Sequence, residues 1–570
     1  MFLSKWLAAA AVALTMMPAA AAAATGDPIQ IYVPPKHVPE VPPMPTPVLT
    51  WRFREKETTF AYYNISQSHD KNWIGIWYAY AGEPVNGTKM SSPLLWTYAP
   101  GKNGKVVIPT KGLPERPFRA FMMAADSYWP VAEPVDFNTA SWRDVRWLAQ
   151  EVRLPVAREG EFWTHDAGKM TSAAGDAGNR YTIMYCTGDG WVRTTPDGIL
   201  YGTPTRHSRR DTHLALKVET PRHVNLHMEL KVDVRKPTAP LLTKLRVVTL
   251  NTWDGGTNVA NYHAKQLSIL AKVNADIISL QETLGIHGLR LAYALGYHAH
   301  QTADAAILSR YPIVEALNAT AHSVGVRIAL DGDRQQVVVW NAHFPSDQYG
   351  PYSFCFDGKN DSAVIADEVA TGRAGEAAAL AAIVKPYVRR SDTVPVLVMG
   401  GFGSPSHLDY TAGTTDLHCG AGEVRWPTSW ALTQAGLRDA YRVARPDPIG
   451  DTGVTWSPIV PTNAERARRE PQDRIDFVYF AGGKSLLRVG DAKTWTYWGK
   501  RPLPAPNHAR NDWTSDHMGV EAWFYLDLPP GGVVNETALQ EQDEAERAGH
   551  LPGNGTEGAE VPPLVDEDDW

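Results

Sequence analysis

The 570-residue sequence is short of cysteine, of long apolar runs and of charge of one sign, and each shortage narrows what the chain can be. It holds three cysteines, Cys186, Cys355 and Cys419. His418 beside Cys419 has no metal-ligand spacing, so no cysteine-based metal centre is expected. In an oxidising compartment Cys355 would pair with Cys419, since both fall in one expected domain; three unpaired buried thiols are the equal alternative. Beyond Ala24 no stretch is long and apolar enough to span a bilayer, so no transmembrane segment is expected. The formal net charge is −7, and residues 536–570 carry eleven acidic residues against one arginine, a net of −10, which leaves +3 for everything before them. A nearly neutral body without a long basic run lacks the stripe that holding a long polyanion requires. Nucleic acid is therefore the less favoured partner.

What is present divides the chain, whose length suits three or four domains. Residues 1–24 join one lysine, an apolar core and an alanine-rich end, the pattern of a cleaved signal peptide, and imply a secreted, extracellular protein. Asn64, Asn86, Asn318, Asn360, Asn535 and Asn554 each head an Asn-x-Ser/Thr triplet, which suits a glycoprotein. Residues 25–49 form a Pro-rich linker. In 50–138, short aromatic and β-branched runs alternate with turn residues and predict a β-sandwich. Its Asp70-Lys-Asn-Trp-Ile-Gly-Ile-Trp77 and Phe118-Arg-Ala-Phe-Met-Met123 resemble strands of SKICH-type modules. A second β module is expected over 141–236, where Thr195-Pro-Asp-Gly-Ile-Leu-Tyr-Gly-Thr-Pro204 resembles the hairpin of cadherin-like and immunoglobulin-like domains. Both modules read as scaffolding. The acidic tail, 528–570, has a disordered composition.

The chemistry lies in 244–527. Val394 to Met399 is a Val-rich run that reads as a strand buried on both faces, and Gly400-Gly401-Phe402-Gly403 follows at once. Other strand ends carry polar tips: Asn251 after Leu245-Arg-Val-Val-Thr-Leu, Glu282 after Ile277-Ile-Ser-Leu-Gln, and Asn341 and His343 after Val337-Val-Val-Trp. Arg474-Ile-Asp-Phe-Val-Tyr479 and Ser515-Asp-His517 complete the series. A polar residue at the carboxyl end of a buried strand is a common position for catalysis.

This ordered series resembles the endonuclease/exonuclease/phosphatase superfamily, with the pancreatic-deoxyribonuclease-like fold, over about half the chain. The resemblance implies a multidomain protein in which two all-β modules precede a four-layer α/β sandwich. It implies a Mg²⁺- or Mn²⁺-dependent hydrolase of phosphoester bonds, with Asn251, Glu282 and Asp516 at the metal. His517 would take a proton from water, oriented by Asp476. His343 would contact phosphate or donate a proton, and Asn341 would support substrate binding. One motif departs from the family: Gly401 and Gly403 stand where the family carries Asp and Asn, both functional. Asp347 and Asp409 are candidate substitutes, and His407 lies close to the same turn in sequence. Trp495, Tyr497, Trp498, Lys500 and Arg501 are read either as the rim of a cleft or as a packed strand face. Three functions follow: a secreted phosphodiesterase or phosphomonoesterase of lipid or small-molecule substrates with attenuated turnover, an inactive binder of a phosphoester or a protein, and a secreted nuclease.

Overall fold

The computed structural model describes residues 48–528 except 55–56, 64, 66, 79–91, 110–116, 133, 139–146, 148, 150, 172–178, 220–224, 286, 347 and 497–500. The expected signal peptide, Pro-rich linker and tail beyond residue 528 lie outside the described residues, as do Asp347, Tyr497, Trp498, Lys500 and the triplet asparagines at 64, 86, 535 and 554. Among the described residues no helix is long and apolar enough to cross a membrane.

The carboxyl-terminal half holds two six-stranded sheets. The first runs His298–Gln301, Ala305–Ser309, Ile277–Gln281, Lys244–Asn251, Gly519–Leu526 and Leu487–Trp495 in spatial order. The second runs Ile313–Leu317, Ser323–Asp333, Gln336–His343, Val396–Gly401, Asp476–Ala481 and Arg438–Asp439. Side chains alternate between the faces of a strand, so a strand covered on both sides is apolar at nearly every position. In the first sheet Leu245, Val247, Ile277 and Ile307 turn to one core, and in the second Val337, Val339, Leu397, Met399, Val478 and Phe480 turn to the same core. These two rows are the inter-sheet layer. The intervening residues turn outward: Val248, Leu250, Ile278 and Leu280 meet the helices Tyr262–Val273 and His287–Leu295. Val338, Trp340, Val396 and Val398 meet the helices Arg373–Val388 and Pro427–Gln434. Cys355 and Cys419 form a disulfide, which ties the helix Gly350–Cys355 to the loop after Asp409. Cys186 is unpaired.

Among the described residues the amino-terminal part is built from β-sheets. One three-stranded and one four-stranded sheet enclose Phe60, Ile74, Ile76, Ile108, Phe118 and Met122. A five-stranded and a three-stranded sheet follow, and Leu214, Leu216, Met228 and Leu230 there join the cluster that includes Leu267 and Leu291 of the carboxyl-terminal half. Arg158 spans this junction. Its guanidinium donates to Asp331 Oδ1 at 2.7 Å and also meets Asp331 Oδ2, with both side chains nearly buried.

Candidate functional site

The inter-sheet alternation runs on past the apolar core. Asn251, Gln281, Asn341, His343, Gly401 and Asp476 have the same parity as Val247, Ile277, Val339, Met399 and Val478, so they occupy the inter-sheet face at one end of both sheets. Hydrogen bonds follow from that placement. Asn341 is fully buried; its amide nitrogen donates to the Leu280 and Ala306 carbonyls at 2.8 and 2.9 Å, and its Oδ1 accepts from Gln281 Nε2 at 2.7 Å. Asn341, expected to support substrate binding, thus joins the two sheets from within.

His343, two residues further, clears the core. Its Nδ1 pairs with Asp304 Oδ2 at 2.5 Å, and its Nε2 stands 3.7 Å from Glu282 Oε1. Burial alone would lower its pKa, but the Asp304 hydrogen bond and the charges of Asp304 and Glu282 raise it above the ordinary imidazole value. Asp304 was absent from the residues singled out in the sequence. The signal available was an acid just before the strand Ala305–Ser309, a weak cue on its own.

Glu282 leaves its strand with φ 57°, and Trp253 and Asp254 nearby have φ 54° and 52°. Non-glycine residues hold this left-handed conformation only where their surroundings enforce it, and such residues gather at functional sites. Here the enforcing bonds are visible. Asn251 Nδ2 donates to Glu282 Oε1 at 2.8 Å, the Asp254 N–H donates to Glu282 Oε2 at 2.8 Å, and Asn251 Oδ1 accepts the Trp253 N–H at 2.8 Å. Asn251 thus orients Glu282.

His517 is held from three sides. Ser515 Oγ donates to the Asn251 carbonyl at 2.7 Å and accepts the His517 N–H at 2.9 Å, while Trp513 Nε1 donates to the His517 carbonyl at 2.7 Å. The His517 Nδ1 pairs with Asp476 Oδ2 at 2.8 Å, and Trp456 packs on the ring at 5.1 Å between centroids. Burial opposes its charge, yet Asp476, Asp516 and Glu282 together push its pKa up to about 9. The carboxylate partner expected of His517 is in place, and its Nε2 lies 4.0 Å from Asp516 Oδ1.

The next question is whether these residues suit a divalent cation. Asp516 Oδ1 and Asp476 Oδ1 are both buried without a hydrogen-bond partner. Burial, with the Glu282 charge adding to it, pushes the Asp516 carboxyl up to about 7, although His517 pulls the other way. A cation would relieve both the repulsion and the missing partners, so the donor set fits one. Among the described residues, no group of three or more His, Cys, Asp or Glu side chains is gathered to hold a metal alone. Mg²⁺ commonly takes one or two carboxylates and fills its remaining positions with water.

The remaining candidates lie elsewhere. Asp409 is buried between Arg442 and Arg474, with Oδ1 accepting at 2.6 and 2.8 Å, which removes it as a substitute acid. His407 bonds Ser429 Oγ at 2.8 Å and packs on Trp430. Trp495 packs on Trp513 at 5.1 Å, next to the core. A Cβ at Gly401 would lie 3.2 Å from Asp476 Oδ1, a tight contact, and 3.6 Å from His343 Cδ2, so the position without a side chain lies between the two imidazole–carboxylate pairs.

Comparison with known proteins finds no matching family model. An uncharacterized protein of Caenorhabditis elegans is 32% identical over 290 residues, which span 49% of this chain and 90% of that protein. Among solved structures, a 3′ phosphatase, NExo, from Neisseria bound to product DNA hairpin is 20% identical, with 50% of this chain and 99% of that chain covered and a TM-score of 0.32. The catalytic domain of human Nocturnin with bound sulfate is 14% identical, covers 50% and 94% respectively, and has a TM-score of 0.30. An AP endonuclease from Leishmania major is 12% identical, with 50% and 89% covered and a TM-score of 0.30.

Proposed function

We propose that this chain, which belongs to one family with the uncharacterized nematode protein, is a secreted, divalent-metal-dependent phosphoesterase of low turnover. The observation that carries the reading is the pair of imidazole–carboxylate contacts, His343–Asp304 and His517–Asp476, each crossing from one sheet to the other beside Glu282 and Asp516. Two imidazoles, each held by a carboxylate that raises its pKa, are suited to a phosphoester. Each donates to a non-bridging oxygen or supplies the proton that the leaving alkoxide needs. Glu282 and Asp516 would hold the cation, with Asn251 fixing the Glu282 carboxylate; when bound, it neutralises phosphate charge and lowers the pKa of water. Gly401 offers no carboxylate to orient that water, and loss of one positioned acid or base typically costs about 10²–10⁴-fold in rate. Low turnover follows. The near-neutral body favours a lipid or small-molecule phosphodiester over long nucleic acid.

Differential scanning fluorimetry with chelator-treated protein, together with turnover of bis(4-nitrophenyl) phosphate, tests the reading. Mg²⁺ or Mn²⁺ at a hundred times its Kd should add about 2.7 kcal/mol to stability and raise the thermal midpoint. Glu282→Ala should remove the shift and the turnover together. A midpoint indifferent to millimolar metal would overturn the metal site. A metal shift with no turnover on aryl, lipid or nucleotide esters would favour the second reading, a non-catalytic phosphoester binder, which rests on the absent side chain at Gly401.

A further inference from the structure

The four-stranded sheet of the first β-sandwich has an outer face unlike its inner one. Leu95–Tyr98 is an edge strand, and its residues alternate so that Trp96 and Tyr98 face solvent with 53% and 44% of their surface exposed. In register, Tyr98 stands opposite Trp73 and Trp96 opposite Gly75. A Cβ at Gly75 would come within 2.4 Å of the Trp77 ring, so the glycine leaves room for indoles to lie across the sheet. Trp73 meets Trp96 at 6.1 Å and Tyr128 at 5.5 Å, and Trp96 meets Tyr98 at 5.3 Å, all edge to face. The inner end of this face is covered, since Arg119 sits 4.6 Å over the Tyr262 ring of the carboxyl-terminal half. Its outer end is open.

A polar group is built into the open end. Tyr98 Oη donates to Asp126 Oδ1 at 3.0 Å, and Lys71 Nζ donates to Asp126 Oδ2 at 2.6 Å. Asp126 and the preceding Ala125 are exposed, yet they hold φ angles of 57° and 37°. Alanine adopts such a conformation only when forced. The force comes from Asn72, fully buried, whose Oδ1 accepts the Ala125 N–H at 3.0 Å while its Nδ2 donates to the Gln67 carbonyl at 2.7 Å. The same loop accepts the Trp73 Nε1–H at the Ser127 carbonyl, 3.1 Å, and sets the Asp126 carboxylate against the aromatic edge.

We propose that Trp96, Tyr98, Asp126 and Lys71 form a binding site for an uncharged oligosaccharide. Sugar rings carry one face of weakly positive C–H groups, which suits the negative face of an indole or phenol ring, and a rim of hydroxyls, which suits a fixed carboxylate–ammonium pair. Charge selects among ligands that stack on aromatics. Lys71 and Asp126 cancel, and the carboxylate nearest the rings repels the phosphates of nucleic acid and of anionic lipid. A neutral, hydroxyl-rich ligand remains. The site is independent of the phosphoesterase reading.

The test uses the full chain with cellohexaose, chitohexaose, laminarihexaose and mannohexaose, read by tryptophan fluorescence and calorimetry. At least one should bind saturably with a Kd between about 1 μM and 1 mM. Trp96→Ala or Tyr98→Ala should weaken that binding by about tenfold or more at an unchanged melting temperature, because both rings are at the surface. Asp126→Asn should weaken it without touching the rings. The proposal is overturned if none of the four hexasaccharides binds at millimolar concentration. It is overturned equally if binding survives Trp96→Ala with Tyr98→Ala, or if phosphatidylserine vesicles bind wild type in place of every sugar and are released by Trp96→Ala.

Discussion

Gly401→Asp restores one carboxylate to a site that otherwise has its neighbours in place. No backbone atom lies within 4 Å of the Cβ it would add; the contacts are Asp476 Oδ1 at 3.2 Å and His343 Cδ2 at 3.6 Å. Gly403 is less permissive, because its φ is 61° and a Cβ would approach the Pro345 carbonyl oxygen to 2.9 Å. The single substitution is therefore the informative one. Its carboxylate would stand within about 4–5 Å of Asp476, where two unit charges repel by about 3–4 kcal/mol at an effective dielectric of ~20. In chelator that cost should lower the thermal midpoint by roughly 5–10 °C for a domain of this size. Millimolar Mg²⁺ should recover most of the loss. Turnover of bis(4-nitrophenyl) phosphate should rise by about 10²-fold, the scale of one positioned acid or base. The gain should need metal and should disappear with added His517→Ala. A folded variant whose midpoint ignores metal and whose rate matches wild type would refute the account of what Gly401 lacks.

Two further outcomes concern the junction between the second β module and the carboxyl-terminal half. His165 is buried, and burial pushes its pKa down to about 4. The folded state thus refuses a proton that the unfolded chain accepts near pH 6.5, so stability present above that pH is lost as pH falls toward 4. The loss should reach about 3 kcal/mol and be flattened by His165→Gln, as measured by urea unfolding at several pH values. Asp331→Ala leaves the Arg158 guanidinium buried without its main partner and should cost about 3–5 kcal/mol by denaturant midpoint, whereas surface carboxylates such as Glu315 should cost almost nothing.

The strands of the carboxyl-terminal half were legible because they are buried on both faces and read as unbroken apolar runs. Counting parity from Val339 or Met399 also carries the reader to His343 and Gly401. Parity has no depth scale, however. Asn341 and His343 share a face, yet one is enclosed by the opposite sheet and the other emerges, and only the sheet-to-sheet fit decides which. Asp304 was missed for a related reason: it meets His343 from the other sheet, 39 positions earlier in the chain. The opposite error concerned Asp409, which lies near the Gly-rich turn in sequence and is bound instead by two arginines. The raised pKa of His517 was equally out of reach, because it depends on three carboxylates contributed by separate strand ends.

Three contacts at the site join one sheet to the other: His343 to Asp304, His517 to Asp476, and beneath them Asn341 to Gln281. Between these contacts the two sheets meet through a core of apolar side chains, which resist separation far better than they resist sliding. Asn341 and Gln281 act as a dowel between two plates. Without it the plates could shift by a fraction of a residue at little cost in buried area, and each imidazole would miss its carboxylate. The chain could then lose its chemistry while its core, its helices and its melting behaviour remained nearly those of the intact protein.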